Sequence, residues 1–124
     1  MSDAKQRVVV LGASDNPERY SNKAVNRLRE HGHEVVPVHP ALERIDGIEV
    51  VPSLDRVEGA VDTLTVYVSP KVSSALADAI VALAPGRVIF NPGAENAELQ
   101  AALAGRGIPT LEACTLVLLS TGQF

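Results

Sequence analysis

Val8-Val9-Val10-Leu11 is a run of four apolar residues, three of them β-branched, and Gly12 follows it directly. Such a run is typical of a strand that is buried on both faces in the middle of a parallel sheet. Small polar residues come next, and a helical pattern then extends over residues 21–31. In α/β proteins a strand–loop–helix junction of this kind turns loop amides and the positive end of a helix dipole towards one crevice, which suits an anion. The stretch therefore predicts both the centre of a sheet and a binding place.

Length and composition limit the number of domains and the classes of protein to which this chain can belong. A chain of 124 residues, 46% of them hydrophobic, is expected to form one domain with a single core. Its apolar runs fall far short of the roughly 20 residues that span a bilayer. Residues 1–6 lack the apolar centre of a signal peptide. We therefore expect no membrane partner.

Charge and cysteine content exclude further classes of protein. The net charge of −4 argues against a nucleic-acid partner, because such a partner requires a basic surface. It also means that any phosphate must be held by local donors. Cys114 is the only cysteine, so no internal disulfide forms, and we expect a cytoplasmic protein. The apolar residues after Cys114 favour a buried, inert thiol.

Strands and helices alternate along the rest of the chain. The first helix is expected to place Tyr20, Ala24, Val25 and Leu28 on one apolar face. Ser69-Pro70 is typical of an N-cap followed by the first helical residue. The other predicted elements are strands at 34–40, 63–68, 87–90 and 108–111, a short edge strand at 48–51, helices at 53–58 and 70–83, a helix between a turn at 91–93 and Gly105, and a tail at 113–119 that is compatible with either a helix or a strand.

This alternation predicts an α/β fold: a doubly wound, mostly parallel sheet with right-handed crossovers and helices on both faces. With the first strand in the centre, the expected strand order resembles 3-2-1-4-5, in which residues 48–51 are the edge piece, and the sequence leaves the pairing direction of that piece open. Ligands bind to such sheets where the strand order reverses, at the carboxyl ends of the strands. The segments expected to meet at this crevice are 12–14, 38–40, 67–71 and 91–93.

A nicotinamide dinucleotide is the first ligand to consider for such a fold, and two features count against it. The G-x-G-x-x-G spacing requires glycine at positions 14 and 17, where this chain has Ser14 and Pro17. An acidic residue is expected at the end of the second strand to bind a ribose hydroxyl, but Val38-His39-Pro40 stands there. A small NAD(P)-binding redox or sensor protein nevertheless stays open as an alternative.

Motifs in a fixed order point to a different ligand. The loop after the first strand carries Gly12-Ala13-Ser14, Asn16-Pro17, Arg19 and Ser21. Further motifs are V-P-V-H-P at 36–40, V-P-S-L at 51–54, V-Y-V-S-P-K at 66–71 and N-P-G-A-E-N at 91–96. Together they resemble the stand-alone CoA-binding domain proteins, which are similar to the N-terminal CoA-binding domain of the succinyl-CoA synthetase α chain. The resemblance extends from about residue 6 to residue 115.

The resemblance implies a single-domain, Rossmann-like fold that binds coenzyme A or an acyl-CoA through its nucleotide end. It implies that Gly12, Ala13 and Ser14 cradle phosphate and that Arg19 and Ser21 add donors. The other residues that it implies are Asn16 in the same loop, Val38, His39 and Pro40 beside the adenosine, Tyr67, Val68, Ser69 and Lys71 along the diphosphate and pantetheine, and Asn91, Pro92 and Gly93 on the far wall. The apolar tail around Cys114 departs from the polar, basic segment that is common in the family.

Several of these residues also have an ordinary structural interpretation. Ser14, Asn16 and Ser21 suit turn and cap hydrogen bonds. Tyr67 suits a packed aromatic position. His39 is the only histidine at the carboxyl end of a predicted strand, so contact with a ligand is open to it.

The sequence indicates a binding protein and not an enzyme by itself. It carries no nucleophile elbow, metal-ligand set, Walker loop or pair of carboxylates at catalytic spacing. A synthetase requires further modules that 124 residues do not hold. An accessory subunit of a larger acyl-CoA enzyme, docked through the apolar tail, stays open as a second alternative, and so does a homo-oligomer.

Overall fold

A computed structural model describes residues 5–124. Its elements in chain order are β1 (Arg7–Leu11), α1 (Tyr20–Glu30), β2 (Glu34–Val38), β3 (Arg44–Ile45), β4 (Ile48–Glu49), a 3₁₀ helix (Leu54–Arg56), β5 (Thr63–Val66), α2 (Pro70–Ala75), α3 (Ala77–Leu83), β6 (Arg87–Phe90), α4 (Ala97–Ala104), β7 (Thr110–Glu112) and α5 (Thr115–Ser120). Five parallel strands form one sheet in the order β2-β1-β5-β6-β7.

This sheet confirms the expected α/β fold, but one strand of the predicted order is wrong. Residues 48–51 do not extend the sheet, and only an isolated bridge joins Val51 to Val38. Asp46 and Gly47 both have positive φ, 49° and 85°, so the chain turns back on itself there. As a result β4 pairs antiparallel with β3 in a separate hairpin, and β2 is left as the edge of the main sheet.

The residues of β1 alternate between two apolar layers. Val8 and Val10 belong to a cluster with α1 and α5, whereas Val9 and Leu11 belong to a larger cluster with α3 and α4. None of these four side chains is more than 4% exposed. The structure thus confirms that β1 is buried on both faces and that helices cover both faces of the sheet.

Several elements differ in extent from those predicted, among them β2, which ends at Val38, and β7, which spans Thr110–Glu112. The expected helix at 70–83 is interrupted at Leu76, which separates α2 from α3. The Ser73 hydroxyl donates to the carbonyl of Pro70 at 3.2 Å, a bond to the preceding turn that is typical of helix bends. β5 ends at Val66 instead of residue 68, and the ambiguous tail forms α5. No helix within residues 5–124 has the length and apolar character needed to cross a bilayer.

His33 lies at the amino-terminal edge of the sheet, away from the strands' carboxyl ends. Its Nδ1 accepts a hydrogen bond from the Gln6 amide at 3.0 Å, and its ring lies 5.2 Å from that of Phe124. The Arg87 guanidinium lies 4.6 Å above the same Phe124 ring. Burial, followed by the charges of His31 and Arg87, lowers the pKa of His33. The folded state therefore disfavours protonation of His33.

We expect the protein to lose stability as the solution becomes acidic, in part through His33. Because the pKa of His33 is lower in the folded chain, its contribution is complete above the unfolded value of about 6.5 and is lost as pH falls through the folded value. Urea denaturation at about pH 7.5 and about pH 5 tests this. His33→Gln keeps a side-chain acceptor and should reduce the loss of stability, whereas an equal loss in both proteins would contradict the role of His33.

Candidate functional site

A crevice of about 380 Å³ lies at the carboxyl ends of four neighbouring strands. Gly12 follows β1, His39 follows β2, Tyr67 follows β5, and Pro92 comes shortly after β6. The crevice is completed by the start of α1 and the loop before it, which contribute Ser14, Arg19, Tyr20 and Ser21. This is the edge of the sheet at which the sequence predicts a ligand.

Many of the residues implied by the family resemblance line the crevice, and others lie elsewhere. Ala13, Val38 and Asn91 are 1%, 3% and 2% exposed, so their side chains belong to the interior. Pro40 lines a separate cavity beside the β3–β4 hairpin. The others outside the crevice lining are Val68, which lies behind Gly12, and Asn16, Ser69, Lys71 and Gly93, which are exposed.

The amides of the first loop differ in their availability. The N–H groups of Gly12 and Ala13 both donate to the carbonyl oxygen of Val38, each at 3.3 Å. The expectation that these two amides face a ligand is therefore not met, because β2 already occupies them. The next two amides, those of Ser14 and Asp15, have no hydrogen-bond acceptor within the part of the chain that the structure describes.

The start of α1 adds more donors to the same crevice. Arg19 is its N-cap but makes no side-chain cap bond, and the amides of Tyr20 and Ser21 have no acceptor within residues 5–124. Ser21 is only 6% exposed, yet it lines the crevice, and its hydroxyl makes no hydrogen bond to the described residues. Because a helix N-terminus carries about half a positive charge, this arrangement favours an anion.

The side chains of the loop hold its turn. The Ser14 hydroxyl accepts from the Asn16 amide at 3.0 Å, and the Asn16 side-chain oxygen accepts from the Glu18 amide at 2.9 Å. For these two side chains the structural interpretation is confirmed. Ser69 likewise caps α2, as the sequence predicts, since its hydroxyl accepts from the Val72 amide at 3.4 Å.

His39 lines the crevice, and the described chain uses only one of its two ring nitrogens. Its Nδ1 accepts hydrogen bonds from the amides of Ala41 and Leu42, at 3.0 and 3.1 Å. An imidazole nitrogen that accepts two amides carries no proton, so the proton of the neutral ring is on Nε2. The Nε2–H group is thus the part of His39 that is left for a ligand.

Tyr67 combines a packed ring with a buried hydroxyl that has no hydrogen-bond partner within the described residues. Burial raises the pKa of Tyr67 to about 12, so the phenol stays protonated at neutral pH. The side chain of Asn91 donates to the Thr65 hydroxyl at 2.7 Å and accepts from the Thr115 amide at 2.9 Å. Asn91 therefore joins β5, β6 and the start of α5 and does not face the crevice.

Tyr20 was expected on the buried face of α1, and this expectation is wrong. It is 70% exposed and lines the crevice, because it stands in the first turn, at the end of α1 that borders the open edge of the sheet. Sequence reasoning missed Tyr20 as a site residue, since its helical spacing matched the core positions Ala24 and Leu28. Its position directly between Arg19 and Ser21 was the available signal.

Gly12 makes a close approach that no other residue type permits. Its φ is +87°, and a Cβ atom there would lie 2.8 Å from Cγ1 of Val68 and 3.3 Å from its backbone nitrogen. Val68 is β-branched and has little freedom to move aside. Gly107 has a similar φ of +75°, but a Cβ atom there would meet no described atom within 4 Å, so Gly107 isolates the effect of backbone strain.

We therefore expect Gly12→Ala to cost roughly 1 kcal/mol or more of stability beyond Gly107→Ala, because only the first adds a steric clash to the strain. Chemical denaturation of both variants beside the wild type measures the two losses. Equal losses would contradict the close packing of Gly12 against Val68.

Comparison with known proteins identifies what this chain is similar to. A sequence profile of the CoA binding domain matches residues 6–120. The crystal structure of an uncharacterized protein superimposes with a TM-score of 0.92 at 40% identity, covering 98% of this chain and 99% of that one. A dinucleotide-forming acetyl-coenzyme A synthetase 1 from Ca. Korarchaeum cryptofilum, in complex with phosphate and ADP, gives a TM-score of 0.73. The two proteins are 19% identical, and the match covers 87% of this chain but 25% of the synthetase chain. This likeness therefore concerns the fold.

One curated relative is the uncharacterized protein YneT of Bacillus subtilis (strain 168), which is 32% identical over 62 residues. The matched segment spans 50% of this chain and 46% of that protein, less than half of its length.

Proposed function

The chain belongs to the CoA binding domain family, and we propose that it binds coenzyme A or an acyl-CoA with the diphosphate in the crevice at the strands' carboxyl ends. In this proposal the protein holds the cofactor and does not transform it by itself. The cytoplasm is the proposed location, since the free Cys114 is in keeping with a reducing compartment.

One observation carries the proposal: the amides of Ser14, Asp15, Tyr20 and Ser21 lack acceptors within residues 5–124. Two of them belong to the loop after β1 and two to the first turn of α1. Backbone amides require an acceptor, and phosphate oxygens at a helix N-terminus supply one that the dipole also favours. Arg19, which lines the same crevice, adds a charge-assisted contact. These local donors act against the overall charge of −4.

The end of β2 supports coenzyme A over NAD, whose adenosine ribose carries no phosphate. A free ribose hydroxyl pair is usually bound there by an acidic side chain, which accepts hydrogen bonds. This chain has His39 instead, and its Nε2–H is a donor because Nδ1 is occupied by the amides of Ala41 and Leu42. The ribose of coenzyme A carries a phosphate, and a phosphate requires donors. A donor at this place therefore fits a phosphorylated ribose better than an unsubstituted one.

The chemistry of Tyr67 supports holding the ligand over reacting with it. With its pKa raised to about 12 by burial, the phenol does not serve as a general base near neutral pH. It remains a hydrogen-bond donor whose hydroxyl has no partner within the described residues. In the proposed complex Tyr67 contributes an apolar wall to the crevice, between the diphosphate and the pantetheine.

Arg19→Ala is expected to weaken coenzyme A binding about ten-fold, the lower end of the range for a hydrogen bond to a charged group, because Arg19 is exposed. Isothermal titration calorimetry measures the change in Kd. Denaturation should show that the stability is unchanged, because Arg19 makes no side-chain hydrogen bond within residues 5–124.

Arg27→Ala is the matched control, because it removes the same charge from α1, of which Arg19 is the N-cap. Arg27 lines a groove between α1 and α5 and is absent from the crevice lining. Its Kd should stay near that of the wild type. If the two substitutions raised the Kd equally, Arg19 would act only through the net charge of the protein. An unchanged Kd for Arg19→Ala would show that Arg19 does not belong to the site.

Native mass spectrometry of the protein as purified tests the proposed function itself. A bound mass equal to coenzyme A or an acyl-CoA supports the proposal, and the mass of the acyl group would identify it. Titrations of the ligand-free protein with coenzyme A and with NADH then compare the two cofactors. Tighter binding of NADH than of coenzyme A would overturn the proposal in favour of a dinucleotide-binding protein.

A further inference from the structure

Asn22 lies under the β1–α1 loop and is held on two sides. It is 4% exposed, and its side-chain Nδ2 donates to the carbonyl oxygen of Ser14 at 2.9 Å and to Oδ2 of Asp46 at 3.0 Å. Ser14 belongs to the loop of the proposed phosphate site, and Asp46 to the turn of the β3–β4 hairpin. One amide group thus connects two segments that are distant in the sequence.

The hairpin side of this connection is firmly built. Oδ2 of Asp46 also accepts from Nδ2 of Asn26 at 2.9 Å, and the Asp46 carbonyl accepts from the Arg29 guanidinium at 3.1 Å. The hydrogen bonds from Asn26 and then Asn22 lower the pKa of Asp46, which therefore stays ionised at neutral pH. Asn26 also donates to Oδ1 of Asn22, at 3.2 Å. The side-chain amide of Asn22 therefore has one orientation in which its oxygen accepts from Asn26 while its nitrogen donates to Ser14 and Asp46.

The bond to Ser14 has a geometric consequence for the next amide. A peptide group is planar, and in the trans form its C=O and N–H point in opposite directions. No peptide of the described chain is cis. Since Asn22 draws the Ser14 carbonyl towards itself, the N–H of Asp15 in the same peptide points away from Asn22. That N–H has no acceptor within residues 5–124, and the residue is exposed.

We propose that Asn22 is a positioning residue of the phosphate site: by holding the Ser14 carbonyl it keeps the Asp15 amide directed at a phosphate oxygen of the ligand. The inference rests on the proposed function. Asn22 makes the one hydrogen bond that holds the Ser14 carbonyl within residues 5–124. Without it, a rotation of the Ser14–Asp15 peptide would turn the carbonyl oxygen towards the anion in place of the N–H. Repulsion replaces attraction at one contact, although no group that touches the ligand has been removed.

Asn22→Ala tests the inference, with Asn26→Ala as the matched control. Both substitutions remove one amide donor to the Asp46 carboxylate, but only the first removes the bond to Ser14. We expect Asn22→Ala to weaken the binding of coenzyme A and of inorganic pyrophosphate by roughly ten-fold, and Asn26→Ala by no more than about two-fold. Equal losses in both variants would assign Asn22 a general structural role and overturn the proposal.

The amide of Asp15 provides a signature that does not depend on how well a variant folds. In the wild type, its ¹H–¹⁵N signal should exchange rapidly with solvent in the free protein and should shift and become protected on addition of pyrophosphate. An Asp15 amide that is protected in the free protein, or that pyrophosphate leaves unchanged while the protein binds it, would refute the role of Asn22. If the wild type binds neither pyrophosphate nor coenzyme A, the proposed function fails, and this inference fails with it.

Discussion

The carbonyl oxygen of Val38 determines which amides of the first loop are available. It accepts from both Gly12 and Ala13 at 3.3 Å, one step beyond the last paired residues of β1 and β2, which are Leu11 and Val38. The loop therefore separates from the sheet only at Ser14. The amides without acceptors begin there, beside the first turn of α1, so two sources of donors converge on the same crevice. The edge strand β2 thus determines which amides are left for the proposed anion.

The opposite side of the loop is fixed by Asn22 and the hairpin turn at Asp46. Gly12 supplies the positive φ that allows the chain to leave β1 close to Val68. A loop that is held on both sides loses little conformational freedom when a ligand binds, and this lowers the entropic cost of association. The small crevice and the modest number of charges around it are therefore compatible with specific recognition of a diphosphate.

The sheet and the position of the crevice could be predicted from the sequence, because both follow from local patterns. The apolar run at 8–11 is buried on both faces, and the alternation of strands and helices gives the parallel order around β1. The periodic pattern does not reveal the hairpin, because its strands have two residues each. The signal for it lies in the turn instead: Asp46-Gly47 is a dipeptide that favours a two-residue hairpin turn with positive φ at both residues.

The exposure of two residues in α1 differs from what helical spacing alone indicates, and the reason is the same for both. Helical spacing alone assigns Tyr20 to the core, but Tyr20 begins α1 beside the crevice, and its side chain is exposed. Asn22 is not part of the apolar spacing of α1, yet it is buried, because its side-chain amide finds partners in Ser14 and Asp46. Both outcomes depend on contacts between segments that are distant in the sequence. A periodic pattern carries no information about such contacts.

A crystal structure of the protein with coenzyme A tests the central claim most directly. The account predicts that oxygens of the diphosphate lie within hydrogen-bond distance of the Ser14, Asp15 and Ser21 amides, while the amides of Gly12 and Ala13 keep their bond to Val38. A diphosphate bound elsewhere, for example in the groove between α1 and α5, or a loop in which Val38 has released those two amides, would contradict it.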